Sequence, residues 1–253
     1  MIKYHSILLI FLFCLISHIV KSQGTVRDVD GNTYRTVVIG DQEWMAENLR
    51  TSRYNDGTSL FTNLARHAWS ITTEGAYSVY PHQGVEGINS EREMINAYGK
   101  LYNWYAVKDE RGLCPDGWRV PTDGDWDELV NYLIIKFDIT NEWEEIDAVG
   151  NVLKSCWQEE SPLGGDCDRI NHPRWFFSDI HYGIDKVDFS GLPAGGRYSE
   201  GTYNYIGKAG LWWSSTERSA DFAWGRLLGY YHGGVYRYSG NKKIGFSVRC
   251  IKN

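Results

Sequence analysis

Four cysteines follow residue 22 in this 253-residue chain, and the last, Cys250, stands close to the C-terminal residue Asn253. A bond to Cys250 would fasten the tail of the chain to its middle, so cysteine pairing limits the possible folds more than any other feature. Cys114, Cys156, Cys167 and Cys250 allow three pairings. Cys156 and Cys167 are near enough in sequence to close a local loop, which would leave Cys114 to reach Cys250. In the chain-entropy account, a cross-link over so long a loop stabilises by roughly 4–5 kcal/mol.

Whether these thiols pair depends on the compartment. Lys3 precedes an unbroken apolar run, Ile7 to Ile16, and the small residue Ser22 follows Val20 and Lys21. This pattern predicts a secretory signal peptide over residues 1–22, since the run is far shorter than the roughly 20 residues that span a bilayer. Lipid attachment at Cys14 is disfavoured, because Phe13 stands where a small residue is needed. The expected product is secreted, extracellular or periplasmic, with no membrane span and with its four cysteines in disulfides. Removing residues 1–22 takes away Lys3 and Lys21 and no acid, so the formal net charge moves from −6 to −8. So acidic a chain gains nothing from phosphate neutralisation, and no nucleic-acid partner is expected.

Residues 23–253 read as one domain. Only 6 prolines occur and no low-complexity linker interrupts the text, while 11 Trp and 17 Tyr supply apolar surface for a sizeable core. Val26 to Trp44 reads as strand, turn, strand about Asp30-Gly31-Asn32. Tyr98, Leu101, Tyr102, Tyr105 and Ala106 recur at helical spacing, which predicts a first helix ended by Asp109 to Gly112. Thr122 is the expected N-cap of a second helix, with Asp125 completing a capping box and Trp126, Leu129, Val130, Leu133 and Ile134 forming its apolar face. Asp123, Asp125, Asp127 and Glu128 crowd its first turns, where the helix dipole accounts for them without a metal.

Asn141 to Asp188 reads as a long loop region with a short helical piece near Asn151 to Ser155. Ser190 to Arg197 reads as a bend. Strands are then expected at Leu211–Trp213, Phe222–Leu228, Val235–Tyr238 and Phe246–Ile251, with turns at Gly233-Gly234 and Ser239-Gly240-Asn241. The order of hairpin, two helices, loops and antiparallel meander defines an α+β class.

Seven motifs carry a resemblance. Asp30-Gly-Asn-Thr-Tyr34, Gly40-Asp-Gln-Glu-Trp-Met-Ala-Glu-Asn-Leu49, Gly99-Lys-Leu-Tyr-Asn-Trp104, Cys114-Pro-Asp-Gly-Trp-Arg-Val-Pro-Thr122, Leu192-Pro-Ala-Gly195, Trp212-Trp-Ser-Ser-Thr216 and Gly245-Phe-Ser-Val-Arg-Cys250 occur in that order. Together they resemble the Fibrobacter succinogenes major paralogous domain, from about Gly24 to the C-terminus. The resemblance implies a secreted bacterial protein with a C-type lectin-like fold, in which a disulfide joins the first-helix region to the last strand, here Cys114 to Cys250. The Glu-Pro-Asn, Gln-Pro-Asp and Trp-Asn-Asp motifs of calcium-dependent lectins are absent. The paired C-terminal cysteines of the related formylglycine-generating oxidases are absent too, since Cys250 stands by itself there.

No catalytic residues, cofactor or metal ligands are expected. The histidines after residue 22 are His67, His82, His172, His181 and His232, which contain no i, i+4 metal pair. No Gly-x-Ser-x-Gly elbow or phosphate loop occurs. The function expected is a non-catalytic binding module for an extracellular glycan or protein; the alternatives are a structural matrix component and an uncharacterised enzyme. Candidate contacts lie in the late meander: Tyr230, Tyr231, Tyr236 and Arg226, which flank the glycine turn, with Trp212 and Trp213 beyond them. Trp and Tyr offer stiff contact faces with a polar edge, although packing within the sheet competes for each, most strongly for the paired tryptophans.

Overall fold

In the computed structural model, which describes residues 24–140 and 148–253, the chain opens on the expected hairpin. The expected signal segment and residues 141–147 of the loop region lie outside the described residues. β1 (Thr25–Arg27) pairs antiparallel with β2 (Thr33–Ile39), and β2 with β3 (Gln42–Met45). The first turn works because Gly31 adopts φ 87°, where a side chain would be strained. The Asp28 carboxylate then accepts from the Asn32 amide at 2.9 Å and the Tyr34 hydroxyl at 2.5 Å.

The expected helix over 98–106 does not form. Instead α1 (Arg66–Ile71) is followed by β4 (Tyr77–Ser78), then α2 (Glu91–Tyr98), β5 (Leu101–Tyr102) and α3 (Trp104–Lys108). Gly99 ends α2 at φ 78°, and a Cβ there would stand 2.7 Å from Asn48 Cβ and 3.0 Å from Leu49 O. Beyond that glycine the backbone finds outside partners: the Lys100 amide donates to Leu49 O, and Tyr102 exchanges hydrogen bonds with Phe246. Asn103 restarts the helix by capping the Ala106 amide. The apolar spacing was real, but it is divided among the end of α2, β5 and α3, with Tyr98 and Leu101 in one buried cluster and Tyr102 and Ala106 in another.

After β6 (Trp118–Arg119), α4 (Asp123–Phe137) has the capping box read from Thr122 and Asp125, and it buries Trp126, Leu129 and Leu133. α5 (Val149–Leu153) is the short helix of the loop region. The expected bend at 190–197 contains β7 (Ala194–Arg197), which pairs with β8 (Tyr203–Ile206). β9 (Ala209–Glu217), β10 (Phe222–Gly229) and β11 (Tyr236–Asn241) make the expected antiparallel meander, in the order β11-β10-β9. Ser239-Gly240-Asn241 is strand, not turn, because it lies opposite Phe222 to Trp224 of β10. The last strand, β12, is only Ile251–Lys252. Residues 245–247 reach it as an extended thread with single bridges to Arg197, Tyr102 and Trp212.

β12 leaves the meander and inserts between β3 and β6, so the N-terminal sheet runs β1-β2-β3-β12-β6. Alternation along β9 then sends its two tryptophans into different cores. Trp213 packs with Tyr34, Tyr102, Trp104 and Phe246, while Trp212 packs with Trp44, Trp126, Phe189 and Leu228. A smaller cluster, with Met94, Tyr98 and Leu101, lies under α2. The architecture is α+β with mostly antiparallel strands. No helix among the described residues is long and apolar enough to cross a membrane.

Both disulfides have the expected pairing, with Cα–Cα distances of 5.9 Å for Cys114–Cys250 and 5.1 Å for Cys156–Cys167. Their loop separations of 136 and 11 residues correspond in the chain-entropy account to about 5 and about 3 kcal/mol. Denaturant titration of Cys114→Ser/Cys250→Ser should therefore show a larger loss than Cys156→Ser/Cys167→Ser, by about 2 kcal/mol. A larger loss for the short loop would show that strain or packing outweighs chain entropy.

A second prediction concerns Asn48, which is buried beside these cores. Its Oδ1 accepts from Trp212 Nε1 at 2.9 Å and Arg249 Nε at 3.1 Å, and its Nδ2 donates to Tyr98 O at 2.9 Å. Asn48→Ala leaves these buried groups without a partner and should cost roughly 3 kcal/mol or more in urea unfolding. A loss below about 1 kcal/mol would mean that water replaces the amide.

Candidate binding groove

The structure divides the late aromatic residues into buried and exposed sets. Trp212 and Trp213 are fully buried and donate their ring N–H to Asn48 Oδ1 and Tyr102 O. They are core residues, and the expectation that they contact a ligand is corrected accordingly. Arg226 is corrected too: it is buried, and it donates to Asp123 Oδ1 at 2.5 Å and Asp127 Oδ1 at 2.6 Å. Asp123 also takes Arg237 at 2.6 Å. Burial works to raise the Asp123 pKa, but the two arginines outweigh it and hold the carboxyl below its usual range. The acids at the start of α4 are thus tied to arginines of the meander.

Tyr231 and Tyr236 are the exposed members, at 66% and 41%, and Tyr230 is half-buried. A chain of ring contacts runs from Phe176 through Tyr230, Tyr231 and His232 to Tyr236, with centroids 4.2–5.9 Å apart. Successive rings lie at 65–89° to one another, so they form a ridge of edges rather than a flat platform. The ridge is bolted to α5 from beneath. Lys154 is fully buried, and its ammonium donates to Asn151 Oδ1, His181 O and His232 O at 2.8–3.0 Å. Burial pushes its pKa well below the usual lysine value. Gly150 permits the contact, since a Cβ there would meet Gly233 O at 2.4 Å.

A groove of about 550 Å³ opens elsewhere, between the end of β3, the exposed side of α2 and the disulfide-braced loop. Ile88, Ala97, Leu192 and Pro173 make its apolar surface; Trp157, Arg169, Arg50 and Glu47 bring polar and aromatic groups to it. Trp157 follows Cys156, and the Cys156–Cys167 bond holds its segment against the one that carries Arg169. The Arg169 guanidinium stacks 3.8 Å from the Trp157 ring centre. Across the groove Arg50 pairs with Glu47 at 2.7 Å and lies over Tyr34. Burial tends to raise the Glu47 pKa, but the Arg35 amide and the Arg50 guanidinium outweigh it and keep the group low.

The loop wall is fixed to α2 by polar contacts. Tyr98 hydroxyl meets His172 Nδ1 at 2.5 Å, and Arg174 bridges Glu86 and Glu159. Sequence reading treated this segment as a long loop region and did not single out Trp157 or Arg169. The available signal was a tryptophan adjacent to a loop cysteine, a position where a ring has little strand or helix to pack into.

The class is therefore a disulfide-closed α+β domain that carries a pre-formed, aromatic-rimmed groove away from its tryptophan cores. The Fibrobacter succinogenes major domain family matches residues 37–252. The chain belongs to that family. No curated protein matches it, and no solved structure does.

Two predictions follow from the burial pattern. Trp213→Ala should cost about 3–5 kcal/mol, whereas Tyr231→Ala should leave the melting temperature nearly unchanged; unfolding of the tyrosine variant would place that ring in the core. The second uses His172 and His232, whose pKa values are each pulled to about 4 by burial first and then by Arg174 or Lys154 respectively. The unfolded chain titrates these groups near 6.5, so it binds more protons than the folded chain between 6.5 and 4. Stability should fall as pH drops through that window, and Tyr or Phe at either position should flatten the melting-temperature profile.

Proposed function

We propose that this chain is a secreted, non-catalytic binding module of C-type lectin-like architecture whose groove takes a carbohydrate. The observation that carries the reading is the groove itself: an apolar surface with a tryptophan, stacked and paired arginines and a carboxylate converging on one concavity. A volume of about 550 Å³ falls within the range of ligand sites, and a few placed polar groups around an apolar surface are what such sites have in common. A tryptophan face suits the C–H face of a sugar ring, while guanidinium and carboxylate groups suit its hydroxyls. A matrix component without a ligand would have no need of a concave face. Two disulfides and the lack of a long apolar helix among the described residues are compatible with an extracellular or periplasmic site of action.

A protein ligand is the second reading, and the exposed ridge favours it. Tyr231 and Tyr236 protrude from a turn anchored by Lys154, so little side-chain freedom is lost when they are covered. A glycan array probed with residues 23–253, followed by calorimetry on the hits, separates the two. The groove reading expects a bound glycan whose affinity drops roughly 30-fold in Trp157→Ala, a hot-spot loss of about 2 kcal/mol, with melting unchanged. A blank array, or glycan binding lost in Tyr231→Ala and kept in Trp157→Ala, would overturn it.

A further inference from the structure

Ser78 and Arg197 each bury a side-chain atom that finds no partner, and both residues line one cavity. Arg197, at the end of β7, is 4% exposed. Its guanidinium lies 4.3 Å from the Trp69 ring centre and 5.2 Å from that of Tyr203. The side chain makes one hydrogen bond, from Nη2 to Leu64 O at 2.6 Å, and Nε has no acceptor. A guanidinium carries five N–H donors in a rigid plane, so most of its donor capacity is unused by the fold. Among the described residues it joins no ion pair, and the charged neighbour that acts on it is another cation, Arg66.

A buried charge without a counter-ion is costly, and packed apolar residues would serve stability better. Unsatisfied buried donors in a native fold call for an explanation, and here the two residues that carry them, from β4 and β7, line one cavity. The cavity measures about 320 Å³, and Tyr80, His82, Tyr203 and Glu91 complete the part that matters. That is the small end of ligand sites, suited to a single sugar residue. Stacking on Trp69 fixes the plane of the fork, and a fixed fork selects planar, two-oxygen anions over point charges.

We propose that this cavity is an anion subsite that takes the carboxylate of a uronic acid residue. Arg197 donates to the carboxylate oxygens, Ser78 Oγ supplies a further donor, and the Tyr80 and Tyr203 rings border the sugar. The body of the ligand rests on the glycan reading above; the charge rests on Arg197 and Ser78 alone. Glu91, exposed on the lining, opposes the ligand and sets a ceiling on affinity.

The test is calorimetry of residues 23–253 with a galacturonate trimer, its methyl ester, acetate and a peptide with a free C-terminal carboxylate. The acid should bind at least about tenfold more tightly than the ester, the factor expected when a charged hydrogen-bond partner is lost, and more weakly as salt rises. Arg197→Lys should lose about tenfold or more, because the ammonium lacks the fork. Ser78→Ala should weaken binding without lowering the melting temperature, and Glu91→Gln should tighten it. If Arg197→Lys fails to fold, those two variants decide the matter. Equal binding of acid and ester, or unchanged affinity in both Ser78→Ala and Glu91→Gln, overturns the proposal. Preference for the peptide overturns the sugar assignment. Acid binding that vanishes in Trp157→Ala belongs to the groove and also overturns it, whereas uronate bound here beside a blank groove sinks only the groove reading.

Discussion

The side chain of Asn48 is the joint on which the two tryptophan cores and the groove depend. An amide has two acceptor lone pairs and two donor hydrogens, and Asn48 uses both ends: Trp212 and Arg249 on the oxygen, Tyr98 O and Ser247 on the nitrogen. Those partners come from β9, the C-terminal thread and the end of α2. Arg249, fully buried, relays the contact to the carbonyls of Phe189 and Ser190 and stacks on the Phe189 ring. Burial lowers its pKa, yet a guanidinium stays charged, so the surrounding carbonyl dipoles must face it. Loops that have no regular structure of their own are thereby held in one arrangement, and Ser190, Leu192 and Tyr98 stand on the groove as a result.

Elements that carry their own local signals were legible in the sequence. The hairpin at Gly31, the Thr122 capping box and the meander rest on turn chemistry, a cap and strand alternation, each readable within a few residues. The helix expected over 98–106 failed because its periodicity is shared among the end of α2, β5 and α3, and the break at Gly99 is imposed by Asn48 and Leu49, about fifty positions away. β12 was over-read for a related reason. Phe246 to Cys250 alternates like a strand, but each backbone group pairs with a different element, which a local pattern does not reveal.

The groove was not legible in the sequence. Aromatic density drew attention to 212–238, where the tryptophans turned out to build the cores and Arg226 to neutralise Asp123. Both sides of β9 are covered, so alternation leaves neither tryptophan exposed, and Asp123 at the start of α4 draws Arg226 inward. The groove draws on residues from 35 to 192 with no periodic relation, so only the folded chain assembles it. The family-like motifs serve both core and groove: Asn48, Trp212 and Arg249 hold the fold and Glu47 and Leu192 line the groove, while Trp157 and Arg169 lie outside the motifs.

The insertion of β12 between β3 and β6 has a consequence for biogenesis. A chain synthesised N-terminus first presents β3 with an unpaired edge until residues 251 and 252 arrive. During that interval Cys114 meets Cys156 and Cys167 before its own partner exists. The nested order of the bonds resolves the hazard: the 11-residue loop between Cys156 and Cys167 closes at lower entropic cost, and once closed it removes both competitors. Loop entropy alone thus favours the short bond, and once formed the short bond guards the long one.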